Sequence, residues 1–218
     1  MSEQKHRMAV FDLDGTLLDT TEGILAAIRD TVRQLHLPIF ADDVLQRACI
    51  GPPVEHSFAA LFGLQGQALA DACHIFRTRY ATFELTRATP YAGIFSLLHA
   101  LRQRGLLIGV ATYKREAYAL PLLTHFGFTD LLDVACGTRE NETKAAVLAR
   151  TLQAAATAPA HAVMIGDTVS DAEAALAVGT AFIGVTYGFG FSKAAPHDGQ
   201  HALAFVEKPA DILPFFTA

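Results

Sequence analysis

The chain begins with a short apolar run and continues with a long segment of helical periodicity. The run Met8 to Leu13 is followed by Gly15 and several polar residues, which is typical of a buried strand that ends in a turn. From residue 19 to about residue 86, apolar residues recur every three or four positions. Asp19 and Glu22 have the spacing of a capping box and predict the first helix start. Breaks fall at Leu37-Pro38, Gly51-Pro52-Pro53 and Gly63 to Gly66, so the pattern predicts an insert of about four helices.

After Pro90, apolar strands alternate with helices. The predicted strands are 106–112, 133–137, 162–167 and 181–188, and the predicted helices are 92–104, 114–126, 142–156 and 171–178. Pro121 predicts that helix 114–126 starts late or is kinked, and Ser170 with Glu173 has capping-box spacing. Unbroken apolar strands that alternate with helices favour a parallel sheet covered on both faces. The predicted fold class is therefore α/β: a doubly wound, Rossmann-like core of residues 1–18 and 88–218, with a helical domain of residues 19–87 inserted after the first strand.

Composition and charge narrow the class of protein. The chain has 218 residues, of which 51% are hydrophobic and 18% charged, as expected for a globular protein of one or two domains. A net charge of -5 argues against a broad basic surface for a nucleic acid polymer or an anionic membrane. The three cysteines, Cys49, Cys73 and Cys136, form no C-x-x-C pair, so we expect neither a disulfide framework nor a zinc site, and a cytoplasmic location. The polar start and the short apolar run after it predict neither a signal peptide nor a membrane span.

Polar residues follow the predicted strands, where ligands bind in parallel α/β sheets. The candidates are Asp12 and Asp14, Thr112, Asp167 and Asp171, with Lys144 at the start of a helix. Two carboxylates as close as those of Asp12 and Asp14 repel each other unless a cation or a proton lies between them. Magnesium prefers oxygen ligands, and Asp167 and Asp171 could complete its coordination together with Asp12 and the main-chain carbonyl of Asp14.

The same residues predict phosphoryl transfer. Asp12 is placed to be a nucleophile that forms an aspartyl-phosphate, and Asp14 to protonate the leaving oxygen and then activate water. Gly15 allows the main chain to approach a phosphate closely. Thr112 and Lys144 would neutralise the phosphoryl oxygens, with Lys114 and Arg139 as alternatives to Lys144.

In these motifs the chain resembles the haloacid dehalogenase superfamily phosphatases. The matching segments are D-L-D-G-T at 12–16, Thr112 in V-A-T-Y-K, Lys144 in N-E-T-K-A, and Asp167 with Asp171 in G-D-T-V-S-D. The family's lysine is often followed by proline, whereas here Ala145 follows it. The helical insert resembles the cap domain of the phosphoglycolate phosphatase-like branch, as do the segments 49–58 and 183–190. The resemblance implies that Leu13, Gly15, Thr16, Gly51 and Pro52 contact the substrate, a small phosphorylated metabolite.

The expected activity is magnesium-dependent hydrolysis of a small phosphomonoester similar to phosphoglycolate. A 5'-nucleotidase, a pyrophosphatase and a sugar phosphomutase remain alternatives, because each uses the same phosphoryl group. A non-enzymatic phospho-acceptor module is a different class, and Asp14 argues against it, since such a module needs no built-in acid or base. His56 is a further candidate substrate contact. The Gly188-x-Gly190 pair does not predict a dinucleotide fold, because no third glycine opens a helix after it.

Overall fold

Six parallel strands form the central sheet in the order β5-β4-β1-β6-β7-β8. The computed structural model describes residues 6–140, 142–192 and 201–216. The strands are β1 (Met8–Phe11), β4 (Leu107–Arg115), β5 (Val134–Thr138), β6 (Ala162–Gly166), β7 (Ala181–Val185) and β8 (Ala204–Val206). Two further strands, β2 (Leu18–Asp19) and β3 (Thr89–Pro90), form a separate pair. The sheet confirms the predicted α/β class, and β8 is a strand that the sequence pattern did not predict.

Helices connect the successive strands of the sheet. They are α5 (Ile94–Gln103), α6 (Glu116–His125), α7 (Lys144–Ala154) and α8 (Val169–Val178). All four residues of β1 are fully buried, as expected for a central strand that has helices on both faces. The alternation of buried strands and helices is the one that the apolar pattern predicted.

The register of the three central strands aligns their carboxyl ends. Phe11 of β1 pairs with Val110 of β4 on one side and with Ile165 of β6 on the other. The next residue, Asp12, donates its main-chain N–H to the Ile165 carbonyl at 2.8 Å. Because the pairing of β1 with both neighbours ends at Phe11, the polar residues that follow this level lie along one edge of the sheet.

The chain divides into two compact units, and four helices make up the smaller one. Residues 1–19 and 90–218 form the first unit and residues 20–89 the second. The helices of the second unit are α1 (Thr21–Gln34), α2 (Asp42–Cys49), α3 (Val54–Phe62) and α4 (Gly66–Arg79), followed by a π-helical turn, Tyr80–Glu84. Its core contains an aromatic cluster in which Phe58 packs against Phe62 and Phe76. The function of this unit as a cap stays a prediction.

Three local predictions differ from the structure. Strand β4 continues to Arg115 because it pairs again with β5 after an irregularity, and α6 consequently begins at Glu116, later than predicted. Helix α1 has Thr20 rather than Asp19 at its N-cap, and Asp19 belongs to β2. Each difference involves tertiary pairing of the main chain, which local spacing does not encode.

A second capping prediction was also wrong. Helix α8 begins at Val169, and its capping box is formed by Thr168 and Asp171 instead of Ser170 and Glu173. Both pairs have the same spacing in the sequence. Because β6 ends at Gly166 and α8 begins at Val169, Thr168 occupies the N-cap position and forms the capping box with Asp171.

Among the described residues, no helix has both the length and the apolar character that crossing a bilayer requires.

Truncation of a core leucine is expected to destabilise the first unit strongly. Leu98 on α5 is fully buried, so Leu98→Ala should lower the free energy of unfolding by about 2–5 kcal/mol, because it removes buried apolar contacts and leaves a cavity. Urea unfolding followed by circular dichroism measures this change. The matched control is Leu176→Ala on α8, where the leucine is 63% exposed and the expected change is within about 0.5 kcal/mol. Equal effects of the two substitutions would contradict the assigned core.

Candidate active site

Three buried aspartates converge at the carboxyl edge of the sheet. Asp12 follows β1, Asp167 follows β6, and Asp171 lies in the first turn of α8. Each offers a carboxylate oxygen, and these oxygens all lie within 4.8 Å of one another. The structure therefore brings together three of the four aspartates that the sequence analysis selected as metal ligands.

Lys144 is the cation that faces this cluster. It is the first residue of α7, where the Thr143 side chain caps the helix by accepting a hydrogen bond from the Ala146 N–H. The Lys144 Nζ lies 2.6 Å from Asp12 Oδ1 and 2.8 Å from Asp171 Oδ1. The lysine predicted for the phosphoryl oxygens is thus ion-paired with the predicted nucleophile.

Burial and mutual repulsion shift the pKa values of the cluster. Burial raises the pKa of Asp12 to about 6, although Lys144 opposes the shift. Burial and the neighbouring carboxylates Asp171 and Asp12 raise the pKa of Asp167 to about 8. Burial alone would lower the pKa of Lys144, but the charges of Asp12 and Asp171 outweigh it and raise that pKa. The lysine stays charged, whereas Asp12 and Asp167 hold protons more tightly than exposed carboxylates do.

Asp14 lies outside this cluster and has its own cation. Lys114 Nζ lies 3.0 Å from both carboxylate oxygens of Asp14. Lys114 and Asp14 are only 7% and 17% exposed, so the pair is largely shielded from solvent. The two aspartates of the D-x-D motif are thereby separated: Lys144 holds Asp12, and Lys114 holds Asp14.

Gly15 forms part of the tight turn that follows Asp14. Its φ of +82° favours glycine, and a Cβ at this position would lie 2.2 Å from Asp167 Oδ2. The Gly15 N–H donates to the Leu18 carbonyl, and the Thr16 N–H to the Leu13 carbonyl. Thr16 Oγ1 also donates to Asp167 Oδ1 at 3.4 Å. In this structure these groups stabilise the turn, and their contact with a substrate stays a prediction.

The loop after β7 holds Asp167 in place, and the sequence analysis missed it. The N–H groups of Phe189 and Gly190 donate to Asp167 Oδ2 at 2.7 and 3.3 Å. A Cβ at Gly188 would lie 2.2 Å from the Gly15 carbonyl oxygen, so only glycine fits there. The signal in the sequence was the G-x-G pair at the end of the predicted strand 181–188, inside the segment 183–190 that resembles the family, but it did not indicate a contact with Asp167.

The position of Asp171 is fixed by hydrogen bonds from Thr168 and by close packing against Gly166. Its Oδ2 accepts hydrogen bonds from the Thr168 N–H at 3.0 Å and the Thr168 hydroxyl at 2.7 Å. A Cβ at Gly166 would lie 2.3 Å from Asp171 Cγ. One oxygen of Asp171 therefore caps α8 while the other faces Lys144.

The remaining predicted site residues divide between the two units. Thr112 is buried in β4, at the irregularity in the pairing with β5, and its Oγ1 accepts a hydrogen bond from the Lys114 N–H. Arg139 pairs with Glu116 and is 60% exposed, so it does not take the place of Lys144 on Asp12. Gly51 and Pro52 are exposed in the turn between α2 and α3, and His56 is on α3, all in the second unit. Their contact with a substrate stays a prediction.

The charge balance of the site fits a divalent cation. Four carboxylates, from Asp12, Asp14, Asp167 and Asp171, face two lysine side chains, so two negative charges remain when all are ionised. Buried excess charge of this kind is costly unless it is protonated or neutralised by an ion. Carboxylate oxygens are ligands for hard cations. The cluster could therefore hold a metal ion.

Comparison with known proteins gives consistent matches. A family model described as haloacid dehalogenase-like hydrolase matches residues 9–185. A solved structure of a haloacid dehalogenase-like hydrolase from Streptococcus pneumoniae superposes with a TM-score of 0.90 at 28% identity, covering 98% of this chain and 99% of that one.

Curated relatives have several activities in their names. The tyrosine-protein kinase PtkA of Mycobacterium tuberculosis is 32% identical over 187 residues, and the match spans 84% of this chain but only 63% of that protein. The 5'-nucleotidase of Pseudomonas aeruginosa is 33% identical over 184 residues, which is 83% of each chain. A phosphoglycolate phosphatase of Agrobacterium fabrum is 31% identical over 191 residues, covering 84% of this chain and 81% of that enzyme.

Neutralisation of Asp167 is expected to stabilise the metal-free protein at high pH. Because the pKa of Asp167 is raised from 3.8 to about 8 in the folded state, the folded protein binds this proton more tightly than the unfolded chain. That stabilisation is complete below about pH 4 and is lost as the pH rises to about 8. Asp167→Asn keeps a carbonyl acceptor and carries no charge. With a chelator present, its melting temperature should therefore exceed that of the parent by more at about pH 8.5 than at about pH 5.

The control for this comparison is Asp130→Asn, which changes an exposed aspartate of the same unit. A gain for Asp167→Asn that is independent of pH would contradict the assigned pKa shift.

Proposed function

This chain belongs to the haloacid dehalogenase-like hydrolase family, and we propose that it is a phosphoric monoester hydrolase that hydrolyses a small phosphomonoester through a phosphoryl group on Asp12. The observation that carries the proposal is the pairing of Asp12 Oδ1 with Lys144 Nζ at 2.6 Å inside the aspartate cluster. Asp12 follows the end of β1, and Lys144 fixes one of its carboxylate oxygens. This contact orients the carboxylate for attack on a phosphoryl group.

The proposed cofactor is Mg²⁺, held by Asp12, Asp167 and Asp171 together with the main-chain carbonyl of Asp14. The donors are all oxygens, and two negative charges of the site remain unbalanced by lysine. When bound, the ion would neutralise charge on the carboxylates and on the phosphoryl oxygens. It would also lower the pKa of Asp12 from about 6, which keeps the nucleophile ionised at neutral pH.

In the first step Asp12 attacks phosphorus, and the bond from phosphorus to the ester oxygen breaks. Asp14 donates a proton to the departing oxygen, which leaves as an alcohol. In the second step Asp14 takes a proton from water, which attacks the aspartyl-phosphate, releases inorganic phosphate and restores Asp12. Lys144 and Thr112 hold the phosphoryl oxygens in both steps, since phosphoryl transfer depends mainly on positioning and charge neutralisation.

The proposed substrate class is a small phosphorylated metabolite similar to phosphoglycolate. Relatives named phosphoglycolate phosphatase and 5'-nucleotidase match this chain at comparable identity, so a nucleoside monophosphate is the main alternative. Pyrophosphate and a mutase reaction on a sugar phosphate use the same core residues. We assign the choice among substrates to the helical unit, with Gly51 and Pro52 as candidate contacts, because the four motif segments of the core serve the phosphoryl group itself.

Loss of the nucleophile is expected to abolish turnover. Asp12→Asn should lower kcat by about 10³-fold or more, because an amide does not form the acyl-phosphate. Phosphate release with Mg²⁺ is measured for phosphoglycolate, nucleoside monophosphates, pyrophosphate and sugar phosphates. Asp130→Asn, at an exposed position, is the control and should keep parental activity. Parental rates for Asp12→Asn would exclude the mechanism. Phosphate transfer to a sugar that requires a bisphosphate activator would identify a mutase.

Magnesium is expected to stabilise the folded protein, and more strongly at high pH. Protons compete with the ion for Asp12 and Asp167, whose pKa values are raised to about 6 and about 8. The rise in melting temperature with Mg²⁺ should therefore be larger at about pH 8 than at about pH 5.5. Asp167→Asn should lose most of the rise. An equal rise in that variant would place the ion elsewhere.

A further inference from the structure

Arg150 joins three segments of the chain next to the candidate active site. It lies on α7, six residues after Lys144. Its Nε and Nη2 donate to the two carboxylate oxygens of Glu142 at 3.0 and 2.8 Å, and Nη2 also donates to the Gly137 carbonyl at 2.6 Å. Its Nη1 donates to Glu116 at 3.0 Å. The guanidinium therefore uses its planar set of donors on three partners that are distant in sequence.

Two of these partners, Gly137 and Glu142, lie at either end of the connection between β5 and α7, the helix that begins with Lys144. Gly137 is the second-last residue of β5, and Glu142 comes two residues before Lys144. Glu142 also accepts the Arg139 N–H at 2.8 Å, which fixes the chain on the other side of this connection. Arg150, which lies on α7, therefore binds the residues that precede the start of this helix.

The third partner belongs to the connection that follows Thr112. Glu116 is the first residue of α6, directly after β4, the strand that carries Thr112. The two connections touch closely, because a Cβ at Gly137 would lie 2.5 Å from the Glu116 Cα and 2.6 Å from the Lys114 carbonyl oxygen. The Glu116 carboxylate bridges Arg150 and Arg139.

The side chains of the Arg150 network are partly shielded from solvent, which favours one fixed hydrogen-bonding arrangement. The side chains of Arg150, Glu142 and Glu116 are 21%, 21% and 25% exposed. Hydrogen bonds from Arg150 are the largest cause of a lowered pKa for Glu142. For Glu116, burial would raise the pKa, but the hydrogen bonds from Arg150 and Arg139 lower it. Ion pairs that form a bidentate network of this kind are more rigid than single exposed pairs.

We propose that Arg150 is a positioning residue that locks the β5–α7 and β4–α6 connections together and so sets where Lys144 and Thr112 meet the phosphoryl group. This inference rests on the proposed function. Among the residues that the structure describes, Arg150 makes no hydrogen bond or ion pair with Asp12, Asp167 or Asp171, and it acts through Lys144 and Thr112. Residues that orient groups of an active site in this way commonly change affinity or rate by about 10-fold or more when they are replaced.

The test measures phosphate affinity in the intact protein with Mg²⁺. Arg150→Lys keeps the positive charge but cannot hold Glu142 and Glu116 at once with the same planar donors. Calorimetric titration with inorganic phosphate should show an affinity about 10-fold weaker than that of the parent, and kcat/KM should fall by a similar factor. The matched control is Arg102→Lys, since Arg102 also donates to both oxygens of an aspartate, Asp133, in the same unit. It should leave phosphate affinity unchanged.

A double-mutant cycle separates positioning from general destabilisation. In a Lys144→Met background, Arg150→Lys should weaken phosphate affinity by clearly less than the factor seen in the parent, because only the part of its effect that runs through Thr112 is left. Glu142→Gln, a milder change in the same network, should weaken affinity in the same direction as Arg150→Lys and serves if that variant folds poorly.

Three results would overturn the inference. Parental phosphate affinity in both Arg150→Lys and Glu142→Gln would exclude a positioning role. An equal loss of affinity in the parent and Lys144→Met backgrounds would show that Arg150 acts by another route. A loss for Arg102→Lys as large as for Arg150→Lys would reduce the effect to general destabilisation. Failure of the unchanged protein to bind phosphate would instead remove the proposed function, and the inference with it.

Discussion

The burial of several carboxylates at one edge of the sheet is the constraint on which the site depends. Asp12, Asp167 and Asp171 bring oxygens within 4.8 Å of one another, and burial of like charges is unfavourable unless other charges balance it. Lys144 supplies part of the balance, while burial and the neighbouring carboxylates still raise the pKa values of Asp12 and Asp167. The same imbalance that costs stability in the metal-free protein is what makes the cluster suitable for a divalent cation.

Neighbouring glycines, main-chain N–H groups and Thr168 fix the positions of these carboxylates. Glycines at 15, 166 and 188 leave room for close approach, since a Cβ at each would lie within 2.2–2.3 Å of a neighbouring atom. Main-chain N–H groups and Thr168 then bind one oxygen of Asp167 and of Asp171. These hydrogen bonds fix the orientation of both carboxylates, which reduces the cost of arranging them as ligands when an ion binds.

The two lysines give the aspartates of the first motif different environments. Asp12 is held by Lys144 from a helix start, whereas Asp14 is held by Lys114 from the end of β4. Each carboxylate therefore has its own neutralising cation, which reduces the repulsion between the two aspartates. This division also explains why two like-charged residues can stand two positions apart after a buried strand.

The sequence by itself determined the α/β class, because apolar periodicity is a local property of the chain, and the resemblance of its four motif segments indicated the family. The same segments select the candidate site residues, whose roles stay predictions: Asp12, Asp14, Thr112, Lys144, Asp167 and Asp171. Only the tertiary structure decided which lysine faces which aspartate, because Lys144 and Asp12 are 132 positions apart. It also showed that the Gly188 loop packs on Asp167 and that Thr168, rather than Ser170, caps α8. Contacts between distant segments depend on strand order and register, which are fixed by the packing of the whole sheet and not by local spacing.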